Sequence, residues 1–186
     1  MTRTFSGGPD SDQIIAWCRI ALRAPSAGFS QGTHLVILDG PGLDEFWRVS
    51  GAGDWFASRN PGVLLAPTVV VVGGRRSAYT TRYSEIDKAG HGLEDEAGWA
   101  VPFWLTDSAM VAQNLLLLVE ESGAGALFFG LFRNVATVLE LVGAPADFEP
   151  VGAVAIGWRA PGDRPSGSAL RTPRRDPAEL IHLGGW

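Results

Sequence analysis

Five consecutive residues, Thr68-Val69-Val70-Val71-Val72, constrain this chain more than any others. Pro67 introduces the run and Gly73-Gly74 closes it. β-Branched side chains are stiff at χ1 and pack well on a pleated surface, so the run reads as a strand. It has no polar alternation and therefore no face to offer water. Such a strand belongs in the middle of a sheet that is covered on both faces.

The rest of the chain supplies the cover. Ile14, Trp17, Cys18, Ala21 and Leu22 recur at helical spacing and predict an amphipathic helix. Asp10 or Ser11 would cap its start, and Pro25 would end it. Leu35-Val36-Ile37-Leu38 reads as a strand, and Gly42 to Val49 as a short helix with Leu43, Phe46 and Trp47 on one side. Thr106 or Asp107 is expected to cap the most apolar helix, through Met110, Val111, Leu115 to Leu118 and Val119, with a stop at Gly123. Its leucines run nearly all round, which predicts burial on every side, in the core or across a dimer axis. Gly123-Ala124-Gly125 leads to an apolar piece, Ala126 to Phe129, closed by Gly130. A further helix carries Val135, Val138, Leu139 and Val142, and the last strand runs from Val151 to Trp158. The polar stretch from Arg75 to Trp99 reads as a surface excursion or lid. A Pro/Gly/Ser linker from Pro161 to Ser168 precedes the basic tail. Interspersed helices and strands over 186 residues predict one mixed α/β or α+β domain, residues 1–186.

Composition removes several function classes. With 46% hydrophobic and 19% charged residues the chain is not disordered, and it is apolar enough to suggest a buried subunit interface. A net charge of −5 makes nucleic acid and anionic membranes poor partners. Cys18, the one cysteine, falls on an apolar stripe and reads as a packed, inert thiol. The first residues lack the order of a signal peptide, and the apolar stretch from Met110 to Val119 is too short to span a bilayer, so a cytoplasmic protein is expected. G-x-G-x-x-G, Walker A and G-x-S-x-G motifs are absent from the sequence. His34, His91 and His182 have no ligand spacing, so no metal site is expected.

Three segments suit ligand binding. Ala24-Pro25-Ser26-Ala27-Gly28-Phe29-Ser30-Gln31-Gly32 packs small residues, hydroxyls and glycine between a helix and a strand, which lets backbone donors approach a flat or anionic ligand. An ordinary Gly/Ser turn fits the same residues. Gly125 to Gly130 offers backbone N–H groups between large apolar side chains, as a buried strand also would. Arg171, Arg174 and Arg175, with Arg3 at the other end of the chain, could anchor a phosphate through their planar forks, or form a solvated basic tail.

Taken in order, these pieces resemble the FMN-dependent nitroreductase family. Arg3-Thr4-Phe5 is similar to the end of that family's N-terminal R-R-S-x-R-x-F motif. Ala24 to Gln31 is similar to its A-P-S-x-x-N-x-Q-P-W motif, with Phe29 in place of asparagine and Gly32-Thr33 in place of Pro-Trp. The resemblance implies an α+β three-layer sandwich around a central mixed sheet, and an intertwined homodimer with FMN at the subunit interface. It implies that Arg3 lies near the phosphate or the pyrimidine edge of the flavin. Pro25, Ser26, Ala27 and Phe29 would approach the ring from the partner subunit. Phe129 would present its N–H to the flavin N5 with Gly130 beside it, and Arg174 and Arg175 would hold the phosphate. The implied reaction takes hydride from NADH or NADPH and passes it, by ping-pong use of one open site, to a small electron-poor acceptor such as a nitro compound or a quinone. No side chain is required as acid or base. A non-catalytic flavin or deazaflavin module and a flavin-dependent dehydrogenase are the alternatives.

Overall fold

The computed structural model describes residues 1–164 and 166–186. Pro165, inside the expected linker, lies outside the described residues. Four strands, β1 (Thr33–Leu38), β2 (Thr68–Arg75), β3 (Gly125–Phe129) and β4 (Phe148–Gly157), form one sheet in the order β1-β2-β4-β3. All three pairings are antiparallel, so among the described residues the sheet is not the mixed one expected. The reason lies in the connections. Helices α2 (Gly40–Val49) and α3 (Ala52–Arg59) return the chain to the end it left, and Leu38 at the close of β1 pairs with Val69 at the opening of β2.

The valine run sits at the centre, as its composition demands. Val70 and Val72 face a core built with α1 (Ser11–Ala21) and α5 (Phe103–Glu121). Val69 and Val71 face a second core with α2, α3 and α6 (Val135–Leu141). All four valines are fully buried, each removal from water stabilising the fold by roughly 1.5–3 kcal/mol. The expected layering of helices, sheet and helices is therefore present, and the α+β class holds.

Local features account for the elements. Asp10 caps α1 by accepting from the Gln13 N–H at 2.8 Å, and Ile14, Trp17, Cys18 and Ala21 are buried at helical spacing. Leu22, expected on that stripe, is the C-cap and is exposed. Burial pushes the Cys18 thiol up to about 11, consistent with an inert packed cysteine. The strand expected to stop at Gly73-Gly74 runs on to Arg75. These glycines are there for contact rather than termination. A Cβ on Gly73 would overlap the Glu149 carbonyl, and one on Gly74 the Trp104 carbonyl.

Helix α5 begins at Phe103, a turn earlier than expected, so Asp107 is not a cap but a buried residue. Trp104, Ser108, Val111, Ala112, Leu115 and Val119 form its buried stripe. Phe103, Met110 and Leu117, seven residues apart, form an exposed apolar stripe on another face. Within one chain the helix is thus not buried on every side. The polar excursion also differs from expectation. It opens with a regular helix, α4 (Arg76–Tyr83), anchored by fully buried Tyr79, and Trp99 packs edge-on against Tyr79 and Tyr83. No helix is long and apolar enough to cross a membrane among the described residues.

Asp147, in the turn before β4, caps α4. It accepts from the Ser77 N–H and hydroxyl, and from Arg75 Nε at 3.2 Å. Burial alone would raise its carboxyl pKa, but the Ser77 and Arg75 bonds outweigh this and hold it at about 2. A folded pKa below the unfolded one gives stability that is present above about pH 4 and lost as pH falls toward 2. Asp147→Asn should cost about 1–2 kcal/mol at pH 7, with the deficit fading between pH 4 and 2. Urea unfolding at a series of pH values measures this, and a deficit independent of pH would contradict the assignment.

Candidate functional site

Two hollows meet at Trp55 on α3. The first, of about 220 Å³, is lined by Gly51, Trp55, Phe56, Phe129, Gly130, Leu131, Phe132 and Arg133 with their neighbours Ser50 and Ala52. Its floor follows from how β3 ends. Phe129, the last paired residue, turns its ring into the second core, stacked on Trp47 at 5.7 Å and edge-on to Phe56 at 5.2 Å. Gly130 follows at the wall, where a Cβ would overlap the Phe132 ring. Gly125 to Leu127 are buried in the sheet, and only Phe128 to Gly130 are half-buried, so the segment is mostly the buried strand that the sequence also allowed. The indole Nε1 of Trp47, behind Phe129, is buried without an acceptor among the described residues; nothing in the structure accounts for it.

The second hollow, of about 970 Å³, shares Trp55 with the first. Arg3, Arg59, Arg164 and Arg171 line it, together with Asn60 and Ser168. None of these four arginines pairs with a carboxylate among the described residues, although the chain carries a net negative charge. The Arg59 guanidinium lies over the Trp55 ring, 5.4 Å from its centroid, because the two are one turn apart on α3. The Arg3 and Thr4 backbone N–H groups each donate to Asp163 at 2.9 Å, which ties the first residues to the segment after β4. A groove of unneutralised guanidinium forks beside an apolar wall suits a flat aromatic ligand that carries a phosphate.

The Ala24–Gly32 segment lies elsewhere. A short 3₁₀ turn, Ala27–Phe29, leads toward β1, with Gly28, Phe29 and Gln31 at positive φ. Ser26 Oγ accepts from the Gln31 N–H at 3.0 Å, and Ser30 Oγ donates to the Ala27 carbonyl at 2.6 Å. Phe29 is 72% exposed, so it is not a core aromatic. Pro25, Ser26, Ala27 and Phe29 line neither the apolar hollow nor the arginine groove. Of the residues singled out from sequence, Arg3 lines the groove, Phe129 and Gly130 line the hollow that shares Trp55 with it, and the loop lines neither. Arg174 and Arg175 stand on the exposed C-terminal tail, outside the groove, and Arg175 reaches Glu179 at 3.4 Å.

Trp55, Arg59, Asn60 and Arg164 escaped the sequence reading, whereas Arg171, read there as a phosphate anchor, does line the groove. Only the helical spacing of Trp55 and Arg59 was available as a signal, because the groove is assembled from three distant stretches of chain.

A family model described as the nitroreductase family matches residues 6–158. An oxygen-insensitive NADPH nitroreductase from Salmonella typhimurium is 35% identical over 78 residues, 41% of this chain and 30% of that protein. The chain thus spans less than a third of the curated relative it matches. Nitroreductase CinD from Lactococcus lactis, solved in complex with nicotinic acid, superposes with a TM-score of 0.76 at 16% identity, over 100% of this chain and 95% of that one. A nitroreductase family protein from Streptococcus pneumoniae gives 0.74 at 18% identity, over 98% and 94%.

Phe29 gives the most direct check on this geometry. Phe29→Ala should change the unfolding free energy by no more than about 0.5 kcal/mol, as for an exposed site. Phe29→Gly, freed of left-handed strain, should be no less stable than the alanine variant. A loss near 3–5 kcal/mol in urea unfolding of the alanine variant would instead mean a buried ring.

Proposed function

Because the chain belongs to the nitroreductase family, we propose that it is an FMN-dependent oxidoreductase, using NADH or NADPH to reduce an electron-poor acceptor such as a nitro compound or a quinone. One observation carries the reading: four unpaired arginines and an apolar, backbone-lined hollow meet at a single tryptophan, Trp55. That donor set fits a phosphorylated tricyclic ring, and the half-buried Gly130 and the exposed Phe132 ring over it lie at the wall of the apolar hollow. The NADPH in the Salmonella relative's name and the nicotinic acid bound to the Lactococcus protein support a nicotinamide donor.

When bound, FMN would supply two-electron, hydride-level chemistry at one open site that serves the nicotinamide and the acceptor in turn. The chain's own residues bind and orient. Arg3 serves the pyrimidine edge or the phosphate, and its fixed positive charge favours the negative charge that reduction brings to that edge. Arg59 and Arg171 flank the same groove, and Arg174 and Arg175 bring two further cations on the tail. Phe129, expected to present its N–H to N5 with Gly130 beside it, is the last residue paired with β4, so Gly130, beyond the ladder, is the residue of the two whose backbone N–H is assigned to N5. The Phe129–Phe56–Trp47 cluster excludes water from the apolar side. No side chain is assigned as acid or base.

The protein works as a homodimer in this reading. Phe103, Met110 and Leu117 on α5, and Leu180, Ile181, Leu183 and Trp186 on the tail, are exposed within one chain and need covering. A second copy then brings Pro25, Ser26, Ala27 and Phe29 to the ring, with Phe29 narrowing the acceptor pocket. The location is cytoplasmic.

The test begins with the visible spectrum. Protein reconstituted with FMN should show flavin bands near about 370 and 450 nm that bleach with NADPH or NADH. Arg59→Ala with Arg171→Ala, and separately Arg174→Ala with Arg175→Ala, should each weaken FMN binding by on the order of 2–5 kcal/mol and leave riboflavin nearly unaffected. Equal losses for both flavins would assign the arginines to the fold, and a protein that stays colourless would sink the cofactor assignment.

A further inference from the structure

The aspartate at position 107 lies on the buried stripe of α5, between Trp104 and Val111, and is only 2% exposed. It pairs with no basic side chain among the described residues. Its Oδ2 accepts two hydrogen bonds, from the Tyr79 hydroxyl at 2.8 Å and from the Ala27 N–H at 2.9 Å. Burying a carboxylate is costly unless its lone pairs are matched. An apolar residue would pack on this stripe without that cost. What the carboxylate adds is a link between the core and the Ala27 backbone.

That link bears on a strained loop. Phe29 has φ of 60° and Gln31 of 52°, left-handed values that side-chain-bearing residues adopt at a cost. The loop's other ties come from itself or from α4: Ser26 and Ser30 bond within it, and Arg82 Nε donates to the Gly28 carbonyl at 2.9 Å. Gly28 sits against the Tyr83 ring, where a Cβ would stand 2.7 Å from Cε2. Among the described residues, the Asp107 carboxylate makes the hydrogen bond that ties the loop to α5, the helix that packs on the sheet. Burial and the neighbouring Asp107 push the Tyr79 phenol far above its ordinary range, so it remains a donor.

We propose that Asp107 is a positioning residue, whose buried carboxylate, steadied by Tyr79, holds the Ala27 N–H and thereby keeps the Ser26–Gln31 loop in the left-handed form that carries Phe29 outward. Its bearing on reduction rests on the reading above, in which that loop meets the partner's flavin.

Amide exchange read by mass spectrometry on the whole protein tests the assignment without recourse to activity. Asp107→Leu should speed exchange across residues 24–32 by at least about tenfold and leave strand 68–75 unchanged, since the buried donor loses its acceptor. Asp107→Asn, whose amide oxygen still accepts, should stay within about threefold of the unaltered protein. Unchanged exchange at 24–32 in Asp107→Leu, or an equal rise in both segments, would overturn the proposal. Should the leucine variant fail to fold, Tyr79→Phe decides: it keeps the ring, removes the steadying hydroxyl, and should raise exchange at 24–32 alone by about two- to fivefold. No rise there would overturn it. FMN affinity and the acceptor KM, measured on the same variants, separate the two levels. A loosened loop with both constants unchanged supports the positioning role and removes the reading that the loop meets the flavin.

Discussion

Helix α5 rests on β2 at Gly74 so closely that no side chain fits between them. Most of the functional geometry depends on that approach. It sets the first turns of the helix against the sheet, with Ser108 Oγ bonded to the Trp104 carbonyl at 2.7 Å and 3.0 Å from Thr33 Oγ1 at the start of β1. Asp107, one residue earlier, is thereby brought under the turn that leads into β1. Gly73-Gly74 thus does more than interrupt the valine run. The pair makes the space through which the core reaches the loop at residues 26–31.

The two halves of the candidate site owe their separation to the same architecture. Arg3 and the groove lie near the first residues and the segment after β4, tied together by Asp163. The loop sits by the junction of β1 and α4, where the Arg75 N–H donates to the Gly32 carbonyl. One chain offers a cationic groove and an apolar hollow, and separately a glycine-rich loop with an outward aromatic. The arginines make sense in this light: on a chain of net charge −5, four unpaired guanidiniums in one groove are a local reversal of sign. Mutual repulsion makes such a cluster costly without a bound anion.

Much of the fold was legible in the sequence, and physical reasons separate what was from what was not. The valine run, the Ile14–Ala21 stripe and the β3 strand each follow from local periodicity, which one stretch of chain carries whole. The end of β2 was misread because a glycine pair signals termination and close contact alike, and only the position of Trp104 distinguishes them. Asp107 was misread for a similar reason: an aspartate near the start of an apolar helix suits a cap, and its burial depends on Tyr79 and Ala27, 28 and 80 residues away. Of the candidate site, Arg3, Phe129 and Gly130 were singled out from motif order and Arg171 from the basic cluster of the tail. Arg59 and Arg164 were not, because no local pattern announces that three separated segments will share one groove.

Phe29 shows where this chain departs from the family pattern and where it does not. The pattern places asparagine there, a residue that tolerates left-handed backbone better than most. The backbone at Phe29 is left-handed all the same, at a cost of about 1 kcal/mol or more for an aromatic residue. That cost is borne only because the loop is held independently of its side chain, by Ser26, by the seat of Gly28 on Tyr83 and by the Asp107 carboxylate. The loop's path thus rests on ties other than the Phe29 side chain, which decides what the loop presents. An amide able to donate and accept has become a ring able to stack and to exclude water. The altered quantity is the chemistry of the surface offered at the loop's tip, which is where a change in acceptor preference would be written without any change of fold.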